Sequence, residues 1–196
     1  MKHTHFFKTT IAILLIAITI LSFVGCSTNS PALTPDRHET TEYTTIQDGT
    51  NAPINNSYCE VVRVVDGDTF IVRFEGKNVR IRLSCVDTPE SVANNSSLNC
   101  EEGRIASDFV KQLLTAGTIV KIETDTKLYD GNDRVLAYVY LEDGTMLNRL
   151  LLEMGYAKVF NDNTNHKFTE EFFEIQDTAR DEGVGFWPTN PWQKKK

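Results

Sequence analysis

The chain carries no surplus of positive charge. Across 196 residues it has 20 Lys and Arg against 27 Asp and Glu, a formal net charge of −7. This excludes a protein that holds polyanions by its overall field, since such binding rests on many clustered cations. Any contact with phosphate must come from a local basic site. Cysteine and histidine are scarce, at four each, and no Cys-x-x-Cys or Cys/His pairing at zinc-ligand spacing occurs. Long apolar runs are missing too, with one exception from Ile11 to Val24, broken only by Thr19 and Ser22. That run is shorter than the roughly 20 residues a membrane-spanning helix needs.

The same run suits the core of a signal peptide, with Lys2 and Lys8 ahead of it. Phe23-Val24-Gly25-Cys26 follows, a pattern that resembles a bacterial lipoprotein box with Phe where Leu is usual. Residues 1–26 are therefore expected to be a lipoprotein signal peptide, with Cys26 acylated and the chain anchored to the membrane. The alternative is an uncleaved anchor helix. Either reading places the domain outside the cytoplasm, lipid-anchored or also shed. Residues 27–57 are rich in Thr, Ser, Asn and Pro and show no apolar period, so they cannot bury enough surface to offset ordering entropy. A flexible tether is expected there. Without Cys26 the chain keeps Cys59, Cys85 and Cys100. One disulfide with a free thiol, or three unpaired cysteines with two filling the core, are both open.

The folded domain is expected over residues 58–192. Val61 to Val65, Thr69 to Phe74 and Val79 to Leu83 read as strands. The second and third are joined by the turn Glu75-Gly76-Lys77-Asn78. Glu101 to Leu114 reads as a helix with Ile105, Phe109, Leu113 and Leu114 on one face. Ile119 to Glu123 and Val135 to Leu141 are two more strands, separated by the turn Asp130-Gly131-Asn132-Asp133. Leu147, Leu150, Leu151 and Met154 mark a second helix, ended by Gly155. Phe168 to Asp181 marks a third, with Phe172, Ile175 and Ala179 along one side. This order gives an α+β domain: a five-stranded OB-type β-barrel with three α-helices.

Three segments carry chemistry. Val65-Asp66-Gly67-Asp68-Thr69 sets two carboxylates around a glycine; continued extension would put both on one strand face, whereas Asp-Gly is also a common turn pair. Arg80 to Glu90 brings Arg80 and Arg82 to one side of a strand, with Asp87, Pro89 and Glu90 at its end. Asp133-Arg134 opens a strand directly after a turn. Together they supply what phosphodiester hydrolysis requires: carboxylates for a hard cation (Asp68, Asp87), a carboxylate to orient or deprotonate water (Glu90), and guanidinium groups for phosphate oxygens (Arg82, Arg134).

On these residues the sequence resembles the staphylococcal (micrococcal) nuclease, or thermonuclease, family. The likeness runs from about Glu60 to Trp187. It is carried by Val65 to Thr69, Arg82 to Glu90, Arg134-Val135-Leu136-Ala137-Tyr138-Val139-Tyr140, Leu147-Asn148-Arg149 and Gly155-Tyr156-Ala157. The resemblance implies a Ca2+ ion held by the carboxylates of Asp68 and Asp87 and the backbone carbonyl of Thr88. Asp66 would act on that ion through water. Arg82, Glu90 and Arg134 would be the catalytic trio. It further implies internal cleavage of DNA and RNA to leave 3′-phosphate ends; a monomer is expected. Asn132-Asp133 replaces the family's usual Tyr-Gly, and Phe160 is followed by a polar stretch containing His166, expected to be a loop residue. The loop from Ser91 to Asn99 has no lysine, so weak and salt-sensitive substrate binding is expected. Two other classes compete: a catalytically silent OB-type nucleic-acid-binding module, and a phosphatase with Asp66 as nucleophile. The second needs alternating βα units, which the strand order lacks.

Overall fold

The computed structural model describes residues 54–91, 99–161 and 163–193. The expected signal segment with Cys26 and most of the expected tether lie outside the described residues. The described residues reach slightly before the expected domain start, with Ile54 buried in the core and the first strand opening at Ser57.

The described residues form seven strands and three helices: β1 (Ser57–Asp66), β2 (Thr69–Phe74), β3 (Lys77–Leu83), β4 (Val86–Asp87), α1 (Glu101–Leu113), β5 (Ile119–Glu123), β6 (Val135–Tyr140), α2 (Leu147–Glu153), β7 (Lys158–Val159) and α3 (Thr169–Asp181). Five strands close a barrel in the order β1-β2-β3-β6-β5. β1 is long enough to serve two neighbours, pairing with β5 through its first residues and with β2 through the rest. Two register shifts in its pairing with β2 supply the bend that closure needs. The turn after β2 is only Glu75–Gly76, with φ of 49° and 76°. Lys77 and Asn78, expected in the turn, already belong to β3, because two positive φ values complete a tight hairpin that matches strand twist.

Closure brings distant chemistry together. β3 and β6 run parallel, with Ile81 opposite Val135 and Arg82 opposite Leu136. Along β3, Val79, Ile81 and Leu83 point into the barrel while Arg80 and Arg82 occupy the other face. The barrel interior includes Phe70, Val72, Ile81, Leu83 and Ile122, each at most 1% exposed, whereas the equally buried Tyr138 packs on the outer face against Phe168 and Phe172. Burial of side chains of this size contributes about 1.5–3 kcal/mol each. Asn148 of α2 is also fully buried: it donates to Ser84 O (2.9 Å) and Ala137 O (3.2 Å) and accepts from Val139 N (3.0 Å). It thereby ties the end of β3 to β6.

α1 keeps most of the expected face, with Leu114 buried and Phe109 and Leu113 packed against the core. Gly103, Ala106, Ser107 and Val110 are buried, whereas Ile105 is 36% exposed. At the start of the helix, small residues let the backbone approach the loop ahead of it, and Ile105 is the one member of the expected stripe left exposed. α3 matches its expected face, with Phe172 and Ala179 buried and Ile175 packed against the core. Among the described residues no helix is long and apolar enough to cross a membrane. Among the same residues Cys59, Cys85 and Cys100 form no disulfide, and burial pushes the Cys59 thiol up to about 11.

Candidate active site

The chain does not stay extended through Asp66-Gly67-Asp68. It reverses at Gly67–Asp68, and Asp66 pairs with Thr69 across the hairpin. The turn that Asp-Gly allows is thus the one formed, and the two carboxylates take different hydrogen-bond partners at the same cavity. Asp66 accepts from Ser91 Oγ (2.6 Å), Ser91 N (3.3 Å) and Gly67 N (2.8 Å). Asp68 Oδ2 accepts from Thr88 N (3.2 Å) and Thr88 Oγ1 (3.3 Å), while Oδ1 accepts from Thr69 Oγ1 (2.9 Å). Gly67 is required by proximity: a Cβ there would sit 2.7 Å from Thr88 Oγ1.

Beyond β3 the chain turns at Cys85, whose φ of 61° is left-handed, and enters β4, which pairs with β7 through Val86–Val159 and Asp87–Lys158. These two-residue strands carry no pattern that a sequence reading could detect. The turn is braced by Arg82, whose Nη1 donates to Leu83 O (2.9 Å) and Val86 O (2.6 Å). Its Nη2 lies 3.2 Å from Asp68 Oδ2 and 3.1 Å from Asp87 Oδ1. Lys158 Nζ stands 3.5 Å from Asp87 Oδ2. Burial raises the Asp87 carboxyl above its ordinary range, Asp68 adds to that, and Arg82 and Lys158 offset it only in part.

Glu90 is exposed at the end of this segment. Partial desolvation of its carboxyl at the cavity wall, and then the negative charges of Asp66, Asp68 and Asp87, push its pKa up against the pull of Arg82. Its backbone is held from behind. Cys100 N donates to Glu90 O (3.0 Å), and a Cβ on Gly103 would lie 2.2 Å from that same oxygen. The first turn of α1 thus rests directly on Pro89–Glu90.

Arg134 enters from the neighbouring strand. Asp130 Oδ1 accepts from Asn132 N (2.8 Å) and Arg134 N (3.0 Å), and Asp130 Oδ2 accepts from Arg134 Nε (2.6 Å). Arg134 Nη1 donates to Thr69 Oγ1 (3.1 Å). Asp133, standing where the resembled family usually has glycine, adopts a φ of 57°, which Asp tolerates better than most residues.

These groups surround one cavity of about 770 Å³, lined by Asp66, Asp68, Arg82, Asp87, Glu90 and Arg134 among others. Thr88 is buried just behind the wall. Phe160, 53% exposed, stands at the rim. His166 is an exposed loop residue whose backbone N donates to Asp125 (3.0 Å). The sequence reading missed Thr69, Ser91, Gly103 and Asp130. Asp130 had a signal, since Asp at the head of a turn ending in Arg can accept from that turn's own amides. The others depend on tertiary contact alone.

The donor set fits a hard divalent cation. Asp68 Oδ2 and Asp87 Oδ1 converge on a single point, now met by Arg82 Nη2. Oxygen donors alone, with neighbouring carboxylates repelling one another, favour calcium-type ions over soft metals. Among the described residues no three His, Cys, Asp or Glu side chains form a metal cluster. Such an ion would therefore need backbone carbonyl and water to complete its shell.

A family model described as Staphylococcal nuclease homologue matches residues 80–189. That stretch contains Arg82, Asp87, Thr88, Glu90 and Arg134, and begins after Asp66 and Asp68. The chain is 37% identical over 133 residues to a thermonuclease of Staphylococcus hyicus, covering 68% of this chain and 77% of the relative. It is 33% identical over 137 residues to an uncharacterized endonuclease of Escherichia coli, covering 67% and 80%. It is 29% identical over 198 residues to endonuclease YncB of Bacillus subtilis, covering 90% and 91%.

Proposed function

The chain belongs to the staphylococcal nuclease family, and from that premise we propose that it is a calcium-dependent endonuclease that hydrolyses DNA and RNA to 3′-phosphate ends. The observation that carries this reading is the convergence of Asp68, Asp87, Glu90, Arg82 and Arg134 on one cavity. Calcium held by Asp68, Asp87 and the Thr88 carbonyl would supply Lewis-acid polarisation of a phosphate oxygen.

The remaining chemistry belongs to the side chains. Glu90, raised in pKa and surrounded by like charge, accepts a proton from the attacking water. The water oxygen bonds to phosphorus as the bond from phosphorus to O5′ breaks. The leaving oxygen is protonated from solvent to a 5′-hydroxyl, and the phosphate stays on the 3′ side. Arg82 and Arg134 donate to the phosphoryl oxygens as their charge builds. Asp66, held by Ser91, would bear on the cation through water. With a net charge of −7, substrate binding rests on these two arginines and a few neighbours, so it is weak and sensitive to salt. Acylation of Cys26 would hold the monomeric enzyme on the outer face of the cell membrane.

The test is digestion of single-stranded DNA, plasmid and RNA with calcium and with chelator. Calcium-dependent internal cutting that Glu90→Gln abolishes is the expected result. Retarded mobility of DNA without cutting would assign the chain to silent binding modules instead.

A further inference from the structure

Arg134 is held on two sides by groups that no reading of the motifs singles out. Asp130 grips its Nε edge at 2.6 Å as part of an ion pair whose side chains are 21% and 16% exposed. The other oxygen of Asp130 caps the amides of Asn132 and Arg134, so the carboxylate fixes backbone and guanidinium at once. Thr69 Oγ1 accepts from Nη1, and with that lone pair engaged its own hydrogen is directed to Asp68 Oδ1 at 2.9 Å. Thr69 is itself only 3% exposed, at the start of β2. The result is a chain of contacts, Asp130–Arg134–Thr69–Asp68, running along one side of the cavity.

We infer that Asp130 and Thr69 are positioning residues that close the Nε edge of Arg134 and present its Nη1/Nη2 edge to the phosphate. The reasoning is geometric. A guanidinium can grip an oxyanion along either edge, and the Nε edge is already taken. Only the terminal edge can meet a phosphoryl group bidentately. Thr69 sets the tilt of the planar guanidinium about the Cδ–Nε bond and keys it to the carboxylate on the cation side. Removing either contact leaves a charged side chain free to rotate, and a misplacement of about 1 Å can cost roughly 10²-fold in rate.

This inference rests on the nuclease reading, and the test separates the two. Asp130→Asn, Thr69→Val and Thr69→Ser are each made in the parent and in Arg134→Ala, and cleavage of a short single-stranded DNA is followed with calcium present. Asn can keep the amide caps while losing the charge on Nε, so the turn survives. If Asp130→Asn nonetheless fails to fold, the Thr69 pair carries the test. Asp130→Asn is expected to lower kcat by about 10–100-fold with little change in KM. Thr69→Val is expected to lower it about tenfold, with Thr69→Ser recovering most of the loss. In the Arg134→Ala background, with calcium saturating for every variant so that any weakening through Asp68 does not enter, each change should fall below about twofold. Equal losses in both backgrounds, or no loss in the parent, would overturn the inference. An Arg134→Ala enzyme as active as its parent would instead overturn the assignment of Arg134 to the nuclease site.

Discussion

Asp130 and Glu90 line the same cavity, and their carboxyl groups are pushed in opposite directions. Burial works to raise both. At Asp130 that effect is outweighed by the amides of Arg134 and Asn132 and by the Arg134 guanidinium, and the pKa falls below its ordinary value. At Glu90 burial is joined by Asp66, Asp68 and Asp87, which Arg82 only partly offsets, and the pKa rises. Asp87 follows Glu90, and Asp125, which accepts from three amides and Tyr138 Oη, follows Asp130. A carboxylate supplied with donors braces the fold. One left facing like charge retains an unmet demand for a proton or a cation, and that demand marks the reactive side of the site.

The largest effects should fall on turnover. Arg82→Ala, Arg134→Ala and Glu90→Gln are each expected to lower kcat by about 10²–10³-fold or more. Steady-state kinetics would show this, with circular dichroism confirming an intact barrel. Full activity in both arginine variants would sink the assignment. Arg82→Ala should also loosen the turn, since Nη1 holds Leu83 O and Val86 O.

Next comes the cation. Asp68→Asn is expected to weaken calcium binding at least about tenfold in calorimetry. An unchanged titration would remove Asp68 from the ion's ligands. Smaller again is Gly103→Ala, whose Cβ would sit 2.2 Å from Glu90 O. An unfolding free energy lowered by about 1–3 kcal/mol in denaturant titration, with slower cutting through a displaced Glu90, is expected. Unchanged stability would mean that α1 is not seated on that loop.

The subtlest test sets the two carboxyls against each other in metal-free buffer. The raised pKa of Glu90 means that its contribution to stability is present below the unfolded-state pKa and is lost as pH rises through the folded one. Glu90→Gln should therefore unfold at a slightly higher temperature than its parent at neutral pH, with the gap closing in acid. For Asp130 the sign reverses: its contribution is present above the unfolded pKa and lost as pH falls through the folded one. Asp130→Asn should lower the unfolding temperature at neutral pH and converge with its parent in acid. Gaps of the same sign in both variants would collapse the distinction.

Most of the barrel was legible because its strands alternate or run β-branched and its turns use Gly, Asn and Asp at the reversals. The residues lining the site were legible through three short motifs. What escaped depends on contacts between segments far apart in sequence. The parallel pairing of β3 with β6 brings Arg82 and Arg134 to one cavity. β4 and β7 exist only through each other. The start of α1 follows the close approach of Gly103 to Glu90, which leaves Ile105 exposed while Phe109, Leu113 and Leu114 keep the apolar stripe. Asp66 and Asp68 take different partners, Ser91 and Thr88, in a segment more than a strand away.

The central claim is that Asp68 and Asp87 converge to hold a hard cation, and thermal unfolding against calcium tests it most directly. The parent protein should gain unfolding temperature steadily as calcium rises, as mass action requires for an ion that binds only the folded state, and Asp68→Asn should gain far less. A flat response in the parent, or equal gains in both proteins, would contradict the account.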